Sequence, residues 1–389
     1  MPMSIPQIAI ICDFLEEKWP SMDLVAEMLL ENLKSEHVSG LRAIRLCPRM
    51  VPRFGSLPIL GRTRLAYNAD RLVNRTRDYP RWLRSQVDGF DLFHVIDQSY
   101  AHLVHDLPVG RAIVTCHDLD AFRCTLEPAL HRWSKLHEGL ARRALSGLRK
   151  AAWVTCDSAA TRDELVAQRL FPPERMTVVS NGVHPSCNAQ PDPAADSDAK
   201  GLLGREAGET TEVLHVGSTI ARKRIDVLLR VFAEVRKEYP HARLVRVGGS
   251  FTPPQDSLLR QLELADSADV LPPLERAVLA AVYRRAAVVL QTSEAEGFGL
   301  PVIEAMACGT PVLASDIPAL REVGGSSAMY CPVGEIAAWA ESVVALLRER
   351  DREPESWCAR RAAGINQAQK FNWAEYAKKM VGVYQRLLA

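Results

Sequence analysis

No stretch of the chain approaches the roughly eighteen consecutive apolar residues that a membrane-spanning helix needs. The first twenty residues, MPMSIPQIAIICDFLEEKWP, carry no basic run ahead of their short apolar segment, so they do not read as a secretion signal either. A cytoplasmic protein is expected. Metal and disulfide frameworks are missing as well: the nine cysteines are odd in number, scattered, and never spaced C-x-x-C. They are expected to act as small core residues, with no metal site. The first apolar segment runs into CDFLEEKWPSMD rather than G-x-G-x-x-G, which disfavours a dinucleotide-binding enzyme. There is no heptad array, internal repeat, low-complexity tract or nucleic-acid motif, and no nucleic-acid partner is expected.

What is present is an ordinary globular composition, 47% hydrophobic and 24% charged over 389 residues, long enough for two cores. Apolar runs rich in β-branched residues recur at 8–12, 92–96, 112–116, 152–156 and 177–180, each followed by a helix-length segment. Their hydrophobicity is continuous rather than alternating, which predicts parallel strands covered on both faces. Residues 184–211, rich in Pro, Ala, Asp and Gly without a period, read as a linker. The pattern then restarts, with strands at 212–217, 243–249, 287–293 and 311–315 and helices near 225–239 and from Pro301. The fold class is therefore α/β, in two halves. Ligands of such sheets bind at the carboxyl ends of the strands, so two facing sheets would place a site in the cleft between them. A helical tail is expected over 373–388.

The net charge of +1 hides an asymmetry: between Arg42 and Arg84 lie eleven arginines against two acids, Asp70 and Asp78, interleaved with Phe54, Leu57, Ile59, Leu60, Leu65, Tyr67 and Trp82. Such a segment suits an anionic surface, whether a phospholipid leaflet or a phosphate-bearing acceptor, and it equally suits a solvated basic helix face.

Three constellations carry chemistry. In SEAEGFGLPVIEAMACG, Glu296 lies in a loop and Glu304 one turn inside a helix that opens at Pro301 and stops at Gly309. The loop glycines permit close approach of a ligand, and the helix start leaves amide groups unpaired, a device for polyols and anions. Read blandly, Glu296 is solvated and Glu304 complements the helix dipole. However, the apolar neighbours of Glu304 imply a buried carboxylate that needs a partner. In HVGSTIARKRID, Arg222, Lys223 and Arg224 crowd a helix N-terminus, where the dipole is already positive. A bound phosphate or diphosphate would reverse the sign of that interaction, and Lys223 is expected to contact it. In the first half, strand ends deliver Asp97, His117 and Asp118. A histidine beside a carboxylate there fits a sugar-hydroxyl binder or acid/base residue, and equally a satisfied turn residue.

The E-GFGLPVI-E run with the following AMACGTPVLASDIPALREVGG resembles the E-x7-E signature of the retaining glycosyltransferases of family four, which have the GT-B fold. IVTCHDL, VTCDSAATRDELV, VVSNGV, the Lys of ARKRID, VYRRAAVVLQTSEAEGFGLP and the terminal FNWAEYAKKMVGVYQRLL agree in the same order. The likeness spans most of the chain and is most specific over 277–325.

The resemblance implies two Rossmann-like domains facing each other across a cleft: 1–190 on the acceptor side, 191–370 binding the nucleotide sugar, and a helix at 371–389 packing back on the first. It implies hexosyltransferase activity with retention, taking a nucleotide diphosphate sugar as co-substrate and requiring no obligatory cofactor or metal. The expected acceptor is a glycan or lipid-linked hydroxyl of the kind used in cell-surface polysaccharide or glycolipid synthesis. By the same resemblance Glu296 and the backbone of Gly297, Phe298, Gly299 and Leu300 hold the donor sugar, Glu304 the ribose and Lys223 the diphosphate. His117 contacts the sugar near the reacting carbon.

Many relatives carry Arg where this chain has Ser218, so Arg222 is expected to supply that cation. The acceptor side is expected around Asp13, Asp97 and Asp118, with peripheral association on an anionic inner membrane surface through residues 42–84. The competing readings are a silent nucleotide-sugar-binding partner subunit and a GT-B isomerase or sugar phosphorylase.

Overall fold

In the computed structural model, residues 5–34, 40–57, 63–128 and 134–389 are described. They form two compact units, residues 1–181 with 373–389 and residues 182–372.

The first unit is built on six parallel strands: β1 (Gln7–Ile11), β2 (Arg42–Leu46), β3 (Leu92–Val95), β4 (Ala112–Cys116), β5 (Trp153–Cys156) and β6 (Met176–Val178). They are ordered β2-β1-β3-β4-β5-β6. Every residue of β3, β4 and β5 is buried, as continuous apolar runs require when helices cover both faces. The terminal helix Trp373–Leu388 packs against helix Pro20–Lys34 and β3. One polar thread fixes it. His94 on β3 bonds Tyr384 Oη through Nδ1 at 2.8 Å and Thr115 Oγ1 through Nε2 at 2.7 Å, and Thr115 continues to Thr155 at 2.8 Å. Burial pushes the His94 pKa down to about 3, so the ring is a neutral structural link.

The second unit repeats the plan with β7 (Glu212–Val216), β8 (Arg243–Val247), β9 (Ala268–Leu271), β10 (Val288–Gln291), β11 (Val312–Ser315) and β12 (Met329–Cys331). These parallel strands are ordered β12-β11-β10-β7-β8-β9, with an apolar cluster on each face. Buried Glu212 opens β7 and is compensated by Arg205 Nε at 2.9 Å and Arg285 Nε at 2.8 Å.

Residues 184–211 are not the plain linker their composition suggests. Helix Pro193–Leu203 lies inside them, with Asp192 accepting from Ala195 N at its start and Gly204 at φ 66° closing its end. N-cap, first-turn proline and C-terminal glycine are all legible signals. They were outweighed by a short apolar stripe of Ala195, Ala199 and Leu203.

Candidate functional site

In a doubly wound sheet, the crevice opens where the strand order reverses, at the carboxyl ends of the two strands that flank the reversal. In the second unit those strands are β7 and β10. The loop after β7 carries Arg222, Lys223 and Arg224, and the loop after β10 carries Glu294, Glu296 and the glycines. Backbone bonds clamp the loops together: Glu294 N donates to Arg222 O at 2.8 Å and Thr292 Oγ1 to Lys223 O at 2.9 Å.

The three cations separate. Arg224 sits in the left-handed region at φ 48° and is neutralised by Asp226 at 2.9 Å and Glu294 at 3.3 Å. Lys223, buried, places Nζ 2.5 Å from Glu296 Oε1, and Arg222 Nη1 lies 3.0 Å from Glu296 Oε2 and 2.9 Å from Ala295 O. Oε1 also accepts from Gln291 Nε2 at 2.6 Å and Ser293 Oγ at 2.7 Å. Burial alone would raise the Glu296 pKa; Lys223 and Arg222 outweigh it and bring it down to about 2. Glu296 is thus not the free hydroxyl acceptor that its loop position suggests. A carboxylate this buried persists only with counter-charges, and it has two.

Beneath this loop, Arg246 of β8 is fully buried, donating to Gly217 O at 2.8 Å and to Gly249 O. It has no acidic partner among the described residues, and burial pushes its pKa down to about 10. Its neighbour His215 is buried with both ring nitrogens unbonded; burial, then Arg246 and Lys223, lower its pKa to about 3. The region around Gly217 is strongly electropositive and short of anions.

Glu304, one turn into helix Leu300–Ala307, accepts from Tyr283 Oη at 2.9 Å, and burial raises its pKa. The two glutamates of the signature are therefore shifted oppositely, Glu296 well below the usual carboxylate range by its two cations and Glu304 upward by burial. Gly299 has φ 106°, and a Cβ there would meet Leu320 Cδ2 at 2.6 Å. The Phe298 ring packs edge-on against Phe371 at 5.7 Å, leaving only its backbone for a ligand. Gly297 is buried, Leu300 half-buried, and Ser218 exposed.

In the first unit the order reverses between β1 and β3, which places Asp13 and Asp97 just past the flanking strand ends. Asp97 caps the next turn, accepting from Ser99 N at 2.6 Å and Ser99 Oγ at 2.8 Å. Asp13 is buried with neither oxygen receiving a donor, and burial followed by the charge of Asp97 raises its pKa well above the usual range. His117, past β4, is buried between Asp157 Oδ2, 2.6 Å from Nδ1, and Ile96 O, 2.7 Å from Nε2. Burial would lower its pKa, but Asp157 raises it to about 9. With an acceptor on each nitrogen the ring is an imidazolium, which bars it from acting as a base in this state. Asp118 has a local duty: its Oδ1 accepts from Asp120 N at 2.9 Å and Gln98 Nε2 at 3.2 Å.

Sequence reading missed Asp157 and Asn181, which donates to Asp157 Oδ2 at 2.9 Å, as well as Tyr283, Gln291, Ser293 and Arg246. One signal was readable for the first pair: Asp13, Asp97, His117, Asp157 and Asn181 each follow a parallel strand within three residues. An arginine inside the apolar run RLVRV was a second.

Two parallel α/β units, the second with cations and a buried carboxylate at its switch point, define the GT-B class. The family model for glycosyl transferases group 1 matches residues 210–349, and the one for glycosyltransferase family 4 matches residues 35–186. The chain belongs to family four of the glycosyltransferases. D-inositol 3-phosphate glycosyltransferase of Thermobispora bispora is 34% identical over 240 residues, covering 58% of this chain and 54% of the relative. The enzyme of the same name from Mycolicibacterium smegmatis is 32% identical over 205 residues, covering 51% and 45%. The matched region spans about half the length of these curated relatives.

Among solved structures, sucrose-phosphate synthase from Thermosynechococcus elongatus superposes with TM-score 0.75 at 20% identity, covering 98% of this chain and 99% of that one. HepE from Anabaena in complex with UDP and glucose superposes with TM-score 0.71 at 16% identity, covering 97% and 99%. At these identities the superpositions establish the fold. Among the described residues, no helix is long and apolar enough to cross a membrane.

Proposed function

We propose that the protein transfers a hexosyl group, with retention, from a nucleoside diphosphate sugar to an acceptor hydroxyl. The observation that carries this reading is the Arg222–Glu296–Lys223 cluster at the switch point of the second sheet, two cations against one carboxylate. The diphosphate of a donor would draw Lys223 and Arg222 to itself, adding the field of Arg246 and the helix amides around one anion. Negative charge grows on the diphosphate as its bond to the anomeric carbon breaks, and cations fixed beforehand stabilise that charge more than the ground state. The acceptor oxygen bonds the anomeric carbon on the face from which the diphosphate departs, and its proton passes to the departing diphosphate oxygen.

Once Lys223 moves to phosphate, Glu296 Oε1 gains capacity for donor-sugar hydroxyls. Glu304, held in place by Tyr283, is suited to the ribose diol. In the first unit the orphaned Asp13 carboxyl group is suited to an acceptor hydroxyl, and the His117 imidazolium to an oxygen gaining charge. Neighbours of this fold solved with UDP or UDP-glucose make uridine diphosphate sugars the first donors to try. The matched relatives act on D-inositol 3-phosphate by name, which makes it the first soluble acceptor to try. Incubation with a panel of nucleotide sugars and acceptors, following nucleoside diphosphate release, tests the reading. Release with at least one pair is expected, and silence across the panel with folded protein contradicts it.

A further inference from the structure

The arginine-rich segment does not owe its character to loose charge. Five of its eleven arginines face acids: Arg45 with Asp23, Arg53 with Asp78, Arg71 and Arg75 with Glu17, and Arg84 with Asp106. Ile59, Leu60 and Arg62 lie outside the described residues. What is unusual is the apolar part. Among the described residues fourteen large apolar side chains are exposed; five of them fall in this segment and two more in the loop after β1 that is bonded to it. Leu15 (53%) and Trp19 (48%) come from the loop after β1; Val51, Phe54 and Leu57 come from the loop after β2; Leu65 (81%) and Tyr67 come from helix Arg64–Val73. Isolated exposed apolar residues are normal, but a cluster of them is not.

The three segments are held as one face from within. Asp70 turns inward and accepts from the backbone N–H groups of Arg53, Phe54 and Gly55 at 2.8, 2.9 and 2.7 Å. Asn74 bonds Val51 in both directions, at 2.8 and 3.0 Å. Tyr67 Oη donates to Glu16 O at 3.2 Å, Met50 N to Glu16 Oε1 at 3.2 Å, and Arg71 Nη2 to Glu17 Oε2 at 3.0 Å. The Asp70 carboxylate and the Asn74 amide thus turn onto the loop backbone while the seven apolar side chains stay exposed. Lys18, Arg49 and Arg64 are exposed on the same segments, and none has an acidic partner among the described residues. A bilayer of anionic lipid offers both what the leucines and Trp19 need and what these cations need, in the interfacial layer where an indole is most stable.

We propose that this face, Leu15–Trp19, Val51–Leu57 and Leu65–Tyr67, docks the protein on an anionic phospholipid surface. The inference is independent of the donor chemistry, because it concerns a surface of the first unit that needs no nucleotide sugar to be tested. Flotation with vesicles of phosphatidylglycerol and phosphatidylcholine, against vesicles of phosphatidylcholine alone, reads it directly. The protein is expected to float with the anionic vesicles, to lose most of that binding at 0.5 M salt, and to stay behind with neutral ones.

Leu15→Ser with Leu65→Ser is expected to weaken partitioning about tenfold or more with an unchanged melting temperature, since neither side chain is in the core. Arg49→Glu with Arg64→Glu provides the second arm and is expected to abolish binding to anionic vesicles. Failure of the wild type to float, or flotation of both variants equal to that of the wild type, overturns the proposal. So does a concentration-dependent dimer that the leucine variant abolishes, which would make the face a contact between two copies.

Discussion

Lys223 Nζ stands 2.5 Å from Glu296 Oε1, and the carboxylate that holds it is shared with Arg222 at 3.0 Å. Seventy-three residues of sequence separate the partners, yet β7 and β10 are neighbours in the sheet, so their loops meet. The lysine is already desolvated in this pair, and in the proposed reaction a diphosphate would compete with a single carboxylate for it.

Lys223→Ala is expected to reduce turnover by about a hundredfold or more, the usual cost of removing a group that stabilises transition-state charge. Steady-state nucleoside diphosphate release measures it, and a rate near wild type contradicts the assignment.

The His117–Asp157 pair makes stability depend on pH. The folded pKa of His117 is raised from the ordinary 6.5 to about 9, so its contribution is fully present below pH 6.5 and is lost as pH rises through 9. The difference corresponds to about 3 kcal/mol. Urea unfolding of wild type and His117→Gln at pH 6 and pH 9.5 should show the gap between them shrinking by that order, and a pH-independent gap would rule the imidazolium out.

Tyr283→Phe removes the donor to Glu304 Oε2 and leaves a buried carboxyl without it. Nucleoside diphosphate affinity is expected to fall about tenfold, the worth of a hydrogen bond to a charged group. Affinity for inorganic pyrophosphate, which has no ribose, should not change. Parallel calorimetric titrations distinguish the two, and equal losses contradict the ribose role.

Gly248 has φ 129°, and a Cβ there would lie 1.9 Å from Gly217 O, a backbone atom with no room to yield. Gly248→Ala should therefore destabilise by about 3 kcal/mol or more and displace the loop after β7, while Gly249→Ala, in open space, costs only the strain of its φ, about 1 kcal/mol. Thermal unfolding ranks them, and equal melting temperatures would show the contact to be harmless.

The nine strands foreseen from sequence are the central strands of both sheets and β6, whose continuous apolar runs signal burial on two faces. The three that escaped, β2, β9 and β12, are edges. RAIRL and ADVL are half-exposed, and an edge strand with charged residues lacks the run that marks a central one. At the candidate site, Lys223 and Glu304 stand out in the sequence because their charge conflicts with local environment, and Glu296 because it sits in a glycine-rich loop. Their partners Gln291, Ser293 and Tyr283 do not, because a neutral polar residue shows no such conflict until the fold brings the carboxylate to it. His94 shows the limit from the other side, a histidine inside the apolar run 92–96 that nothing in the sequence marks and that ties the terminal helix to the sheet.

The central claim is that Lys223 leaves Glu296 for the diphosphate. Calorimetric titration of UDP into wild type, Lys223→Ala and Glu296→Gln tests it most directly. The prediction is about a hundredfold weaker binding by Lys223→Ala and binding at least as tight as wild type by Glu296→Gln, whose turnover is nevertheless lost. Unchanged affinity in Lys223→Ala, or a loss of UDP binding in Glu296→Gln as large as that in Lys223→Ala, would contradict it.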